Sequence, residues 1–390
     1  MAGPTLSVHP ERRDTAGSVR YEFDLRYSGN DRRHTIFYEF PRDLAPVSPD
    51  NFDGILCAIV LHAMAESRNV RLHGAVTSTF LLNLEEFQLA WSRWLPAKYR
   101  RVAIEADSIV DEPCVAKPRS IGAFSGGVDS SFTLLRHGAK SGSPSYALDI
   151  VLMVHGFDIP LSMPAGFREL VDSTASIRES SGVGLRTVAT NSKELGLQSW
   201  EHSYGAQLAG CLHLFSAEYS NALVGSSDPY DALLLPWGSN PVTDPLLSGG
   251  ALRIVHDGAG FSRTEKVALL SRHPATLRSL MVCWEGEHKG RNCGVCEKCI
   301  RTQLNFLAVG VANPPCFGAP LKLSLIEHVS IRNDSVLAEF RSIAEYAHSH
   351  NLDADWLRLL RKRVRQGTDK PSLRQRARRI PRRAGLVRKA

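Results

Sequence analysis

Apolar and polar residues alternate in Tyr21-Glu22-Phe23-Asp24-Leu25 and in Thr35-Ile36-Phe37-Tyr38-Glu39-Phe40. Side chains of a strand point to opposite faces in turn, so both runs predict half-buried strands. The period then lengthens. Residues 52–66 and 81–94 place apolar side chains three and four apart, which predicts one-sided helices, and 102–104 predicts a closing strand. Asp111-Glu112-Pro113 through Lys117-Pro118-Arg119 has the composition of a linker. Residues 1–115 are therefore expected to form a separate α+β domain, and no catalytic constellation lies within them.

From Ser120 onward, short apolar runs alternate with helical stretches. Residues 121–124, 150–155, 185–189 and 222–224 predict strands; 130–137, 167–180, 205–219, 263–270 and 300–309 predict helices. That alternation is the signature of an α/β fold, a mainly parallel sheet with helices on both faces. Residues 311–365 are expected to form a helical extension, ending in a helix over 352–364. Residues 366–390 are Arg-rich and broken by proline, which predicts a disordered basic tail.

Charge is placed as unevenly as hydrophobicity. The 390 residues carry a formal +7, yet from Arg361 to Ala390 there are 13 Lys/Arg against one acid, Asp369. The remainder holds 34 bases and 39 acids, a balance of −5. The basic tail could contact nucleic acid or an acidic partner, but the mildly acidic body is not a polyanion-binding surface. The longest apolar run, Gly54 to Ala65, is too short to span a bilayer. Met1 to Asp14 has no apolar core, so no secretory signal is expected and the protein reads as cytoplasmic.

The strongest chemical signal is Ser125-Gly126-Gly127-Val128-Asp129-Ser130-Ser131, set between an apolar strand and an apolar helix. Paired glycines let backbone approach an anion closely, serines add donors, and a helix start presents unpaired N–H groups. This predicts a pyrophosphate cradle. The Walker pattern is absent, and Gly182-Val183-Gly184 lacks the third glycine of a dinucleotide fingerprint.

The second signal is Cys283, followed by Cys293-Gly294-Val295-Cys296-Glu297-Lys298-Cys299. Four thiolates at this spacing suit the closed tetrahedral shell of structural Zn²⁺, with iron-sulfur or redox chemistry as the alternatives. His288 and Cys316 are further candidate ligands, each open to a packing role instead.

Ser125 to Ser130 resembles the signature of the PP-loop ATP pyrophosphatases, and the cysteine block with Arg301 resembles the zinc site of 7-cyano-7-deazaguanine synthases. The resemblance covers residues 121–307. It implies a Rossmann-like fold of the adenine nucleotide alpha hydrolase (HUP) type and an ATP-dependent, AMP-forming reaction. ATP is cleaved between its α and β phosphates to activate a carboxylate or amide oxygen for attack by ammonia or an amine. By this analogy the loop amides with Ser125, Ser130 and Ser131 hold the β and γ phosphates, and Asp129 positions Mg²⁺ or braces the loop.

Other segments carry weaker expectations. His155, after the second strand, and Asn191, after the third, could meet adenine or ribose, or simply close their turns. His202 could be an acid/base or a packed ring. The long polar loops holding Ser226, Asp228, Trp237, Ser239 and Asp244 are where an acceptor substrate is expected. They differ from the substrate loop of the deazaguanine synthases. Arg263 and Lys266 could each neutralise pyrophosphate, or form an ordinary charge pattern on an exposed helix. A sulfur transferase and a non-catalytic zinc-containing RNA-binding protein are the alternative functions, and a homodimer is a possible assembly.

Overall fold

The computed structural model describes residues 3–111, 119–141, 146–283, 285–286 and 290–369. His288, Cys114, most of the expected linker and the tail from 370 onward lie outside the described residues. Two compact units divide after Pro320.

In the first unit, β1 (Thr5–Asp14), β2 (Ser18–Tyr27) and β3 (Arg33–Pro41) form an antiparallel meander. Helix α1 (Asp53–Glu66), strand β4 (Asn69–Thr77), helix α2 (Ser78–Trp94) and strand β5 (Ile104–Val110) follow, with β4 and β5 adding in parallel beside β1. Next come β6 (Ser120–Ala123), α3 (Val128–His137), β7 (Leu148–His155), α4 (Pro164–Ser173), α5 (Ala175–Ser181), β8 (Gly184–Thr190) and α6 (Trp200–His213). The unit continues through β9 (Asn221–Gly225), β10 (Arg253–Asp257), α7 (Arg263–Leu270), α8 (Pro274–Ser279) and α9 (Glu297–Ala308).

All ten strands belong to one sheet, ordered β10-β9-β6-β7-β8-β3-β2-β1-β4-β5. The five strands from β6 onward are mutually parallel and, renumbered among themselves, run 3-2-1-4-5 from β8 to β10. This is the doubly wound order, in which the direction of strand addition reverses between β6 and β9. Helices α3, α4, α5, α7 and α9 contribute to the core on one face; α1, α2 and α6 contribute to the other.

The expected separate N-terminal domain is instead the other half of the same sheet and core. Strands β3 and β8 pair antiparallel at Tyr38↔Thr190 and Glu39↔Ala189. The core runs from Leu6 and Tyr38 through α1 to Leu212 and Ile254. Helix α1 is correspondingly not one-sided, since every residue from Asp53 to Met64 is buried. It is packed extensively against α6 and needs no polar face. Strands β1, β4 and β10 were not anticipated, and the helix expected over 167–180 breaks at Thr174 into α4 and α5.

The second unit contains α10 (Leu323–His328), α11 (Asp334–Ser349) and α12 (Asp355–Arg365), packed around Ile326, Phe340, Ile343, Leu357 and Leu360. Residues 366–369, read as part of a disordered tail, are held here. Asp369 accepts from Ser330 Oγ (2.8 Å), Ile331 N (3.0 Å) and the Arg363 guanidinium.

A buried joint fastens the meander half to the doubly wound half. Asp53 accepts from Thr77 N (2.9 Å) and Thr77 Oγ1 (2.7 Å), while Thr77 Oγ1 accepts from Gly250 N (2.9 Å) and caps α2 through Phe80 N. Burial pushes the Asp53 carboxyl up to about 6, against the opposing pull of the Thr77 donors. The folded state thus holds more protons than the unfolded chain between about pH 4 and pH 6, where an ordinary aspartate has already ionised. Stability from this group is greatest below that window and declines as pH rises through it. T77V removes a cap and a donor to a buried carboxylate, so it should cost about 3 kcal/mol in denaturant unfolding. The decline should also move to higher pH. An unchanged midpoint would show that the joint carries no load.

Candidate functional site

The chain leaves β6 through Phe124 and turns at Ser125-Gly126-Gly127 into α3, at the switch between β6 and β9. Gly126 has φ +75°, and a Cβ there would lie 2.9 Å from Thr174 Cγ2. Gly225, closing β9, passes so near the loop that a Cβ would lie 2.9 Å from the Asp129 carbonyl. Helix α3 has Gly127 at its N-cap and no side-chain cap, so its first amides are left for another acceptor. Ser130 Oγ accepts from Ser125 N (3.2 Å) and donates to Gly127 O (3.3 Å). Ser131 is buried, and its Oγ has no hydrogen-bond partner among the described residues.

Asp129 meets two cations from α7. Arg263 Nη2 lies 2.8 Å from its Oδ2 and Lys266 Nζ 3.2 Å from its Oδ1. Lys266 is wholly buried and also donates to Ser226 O (2.5 Å). This overturns the picture of α7 as an exposed charged helix: Arg263 and Lys266 face inward, toward the glycine loop. The helix is aimed by a capping box in which Ser262 and Glu265 exchange hydrogen bonds. Burial opposes ionisation of Asp129, but Arg263 and Lys266 outweigh it and hold the carboxyl below its ordinary range.

The four clustered cysteines converge. Sγ atoms of Cys283, Cys293, Cys296 and Cys299 all lie within 4.8 Å of one another, a group that could hold a metal ion. Asn292 arranges the approach, accepting from Val282 N (2.9 Å) and Cys283 N (3.1 Å). Cys316 is not in this group, although its carbonyl accepts from Asn292 Nδ2 (3.0 Å). Two links join the cysteines to the loop. Met281 N, two residues before Cys283, donates to Gly126 O (2.8 Å). On the other side, α9 starts at the cysteines and carries Asn305, whose Oδ1 accepts from Thr264 Oγ1 of α7 (2.6 Å).

Several expected ligand contacts are committed elsewhere. Asn191 extends the β3–β8 seam, accepting from Phe37 N (3.0 Å) and donating to Thr35 O (2.8 Å), so both ends of its amide are engaged by β3. His155 stacks on Phe167 at 4.7 Å and bonds Pro160 O (2.9 Å), closing its own turn. His202 is a packed ring against Trp91 that meets Tyr99 Oη at 2.7 Å. Ser226 is buried, giving its N–H to Asp257 O (2.7 Å) and its hydroxyl to Asp228 O (2.6 Å). Ser239 donates to Asp244 Oδ2 (2.6 Å), and both are buried, so these three brace loops rather than face a ligand. Arg301 lies along α9 beside Glu297 (2.9 Å).

Sequence reasoning missed a row of aromatics at the carboxyl end of the sheet. Phe157 meets Trp200 (5.0 Å), Trp200 meets Tyr204 (6.1 Å), and Tyr204 meets Trp237 (6.1 Å). Lys193 Nζ lies 4.3 Å from the Trp200 ring and donates to Phe157 O (2.6 Å). Of these, the sequence offers only Trp237 as a candidate. The available signal was four aromatics in segments that each follow a strand or open a helix.

Four outcomes are expected. K266M leaves Ser226 O without its donor and Asp129 with one cation, and should cost about 3–5 kcal/mol in denaturant unfolding, as when a buried pair loses one member. The native carboxylate binds fewer protons than the unfolded one near pH 4, so its pairing stabilises above that range and fails as pH falls through the depressed value. K266M should shift that acid loss upward. Wild-type protein should carry one metal ion per chain by elemental analysis. Stripping it should raise amide hydrogen exchange over 126–131, and unchanged exchange there would deny the link through Met281.

Among the described residues, no helix is long and apolar enough to cross a membrane. No family model, curated protein or solved structure matches this chain.

Proposed function

We propose that this chain is an ATP-dependent, AMP-forming ligase of the PP-loop type, with the HUP variant of the doubly wound fold. It would adenylate a carboxylate or amide oxygen and add a nitrogen nucleophile to give an amide or nitrile, as 7-cyano-7-deazaguanine synthases do. One observation carries the reading. A glycine loop with open helix-start amides sits at the switch point of a 3-2-1-4-5 parallel sheet, backed by two inward-facing cations. Open α/β sheets bind ligands at that crevice, and amides with a helix dipole favour an anion there.

The residues present fit the expected groups. The buried, unpartnered Ser131 Oγ and the glycine cradle suit phosphate oxygens, with Ser125, Val128 and Ser130 contributing further loop donors. Both Asp129 oxygens are paired with Arg263 and Lys266, so this carboxylate braces the loop and would meet Mg²⁺ by giving up one of those pairings; Mg²⁺ would supply charge neutralisation on the phosphates. Arg263 and Lys266, already at the loop, stabilise developing charge on pyrophosphate. The aromatic row with Asp228 lies at the same end of the sheet and is the acceptor's place. Sγ pairs at 3.9 Å match the separation of about 3.8 Å implied by tetrahedral Zn–S bonds of about 2.3 Å. A closed four-thiolate shell makes Zn²⁺ a structural ion. Sulfur transfer is less well supported, because these four cysteines gather in one group and Cys57 and Cys211 are buried.

The test is pyrophosphate release from ATP·Mg²⁺ and ammonium with 7-carboxy-7-deazaguanine and a panel of small carboxylates. Wild type should release pyrophosphate with at least one acid, and D129A should lower the rate by about 100-fold or more. No release with any acid, or equal release from D129A, would overturn the reading and favour a non-catalytic role.

A further inference from the structure

A buried histidine-aspartate pair lies under the loop that follows β9, and the proposed reaction as described has no use for it. His256 is on β10, one residue before its end. Its Nδ1 lies 2.8 Å from Asp244 Oδ2, with side-chain exposures of 3% and 2%. Asp244 also accepts from Ser239 Oγ (2.6 Å) and Asn240 N (3.1 Å). Asn240 in turn donates to Trp237 O (2.7 Å) and Thr243 Oγ1 (2.8 Å), so the pair is locked to the segment carrying the last aromatic of the row. The other ring nitrogen, Nε2, is buried and has no hydrogen-bond partner among the described residues.

A carboxylate at Nδ1 requires a proton there, and in the neutral ring that leaves Nε2 as a lone pair. A fixed, buried acceptor without a donor costs free energy unless something brings a proton to it. In register, His256 sits opposite Val224, one residue from the glycine that abuts Asp129. Tyr204, whose phenol bonds Ser227 and is held high by burial with Asp244 and Asp228 nearby, places the aromatic row beside this loop.

We propose that His256 is the base for the nitrogen-transfer step, with Asp244 as its positioning residue; this rests on the ligase reading above. The nitrogen lone pair forms the C–N bond at the adenylate carbonyl and the C–O bond to the phosphate breaks. AMP leaves with that electron pair, and one N–H proton passes to His256 Nε2 and then to water. The loop that receives the acceptor is thus the one that covers the base.

The experiment uses the full chain with ATP·Mg²⁺, the acid that supports pyrophosphate release, and ammonium chloride at pH 6–9. In wild type, amide should form in step with pyrophosphate, and ¹⁵N spectra of the neutral His256 ring should show the Nδ1–H tautomer. H256Q should give one burst of pyrophosphate per site, then amide formation slowed by about 10²–10⁴-fold. The residual rate should climb with pH as free ammonia replaces ammonium. D244N should show the same burst with the ring tautomer changed. Amide formation in H256Q within twofold of wild type would overturn this inference alone, as would an Nε2–H tautomer in wild type. So would parallel loss of the burst and the transfer together with a lowered melting temperature, because that is the signature of a loop brace. Absence of pyrophosphate from wild type would overturn the parent reading and this inference with it.

Discussion

Lys266 is a fully buried ammonium, and the rest of the site is arranged around keeping it there. A charge removed from water is tolerated only when it is paired and hydrogen-bonded. Here Asp129 supplies the countercharge from the start of α3 and Ser226 supplies a carbonyl from the end of β9. Those two segments border the switch crevice, so one cation ties both of its walls to α7. Arg263 repeats the tie at the other carboxylate oxygen. The loop between β6 and α3 is consequently held in a cradle shape by interactions that precede any ligand.

The cysteine group extends this bracing in two directions. Through Met281 it reaches the Gly126 carbonyl, and through α9 and Asn305 it reaches Thr264 in the turn that carries Arg263. A structural ion would therefore act on the loop and on its cations at once. The meander half adds a third support. It seals one face of the sheet with α1 and α2 and joins the doubly wound half at the Asn191 seam and the Asp53–Thr77 joint. What lies at the carboxyl end of β6–β10 is a site whose parts come from distant stretches of chain held by a shared core.

The loop and the cysteines were legible in the sequence because each is local: seven consecutive residues, and four cysteines within 17 positions. Helix α2 was legible from its period, α3 and α7 from the alternation of short apolar runs with helical stretches, and α1 was placed although its expected one-sidedness is not there. The parts that stayed hidden depend on pairing partners that sequence spacing cannot supply. Strand β1 carries Pro10 and a charged second half, Glu11 to Asp14, and is a strand because β2 and β4 flank it. Asn191 is read naturally as a ligand contact after a strand, yet β3 arrives from about 150 residues earlier and takes both ends of its amide. Lys266 sits in a pattern usual for a solvated helix, and only the position of Asp129, 137 residues away, turns that face inward. The separate N-terminal domain was inferred from a change of period at residue 120, which marks a change in sheet architecture rather than a boundary between cores.

The most direct test of the central claim is a crystal structure of the full chain with Mg²⁺ and α,β-methylene ATP. The account predicts β and γ phosphates on the amides of residues 126–130, within reach of Arg263, and adenine at the carboxyl end of the parallel strands. Nucleotide bound elsewhere, or a loop left empty at saturating analogue with the Asp129 pairings unchanged, would contradict it.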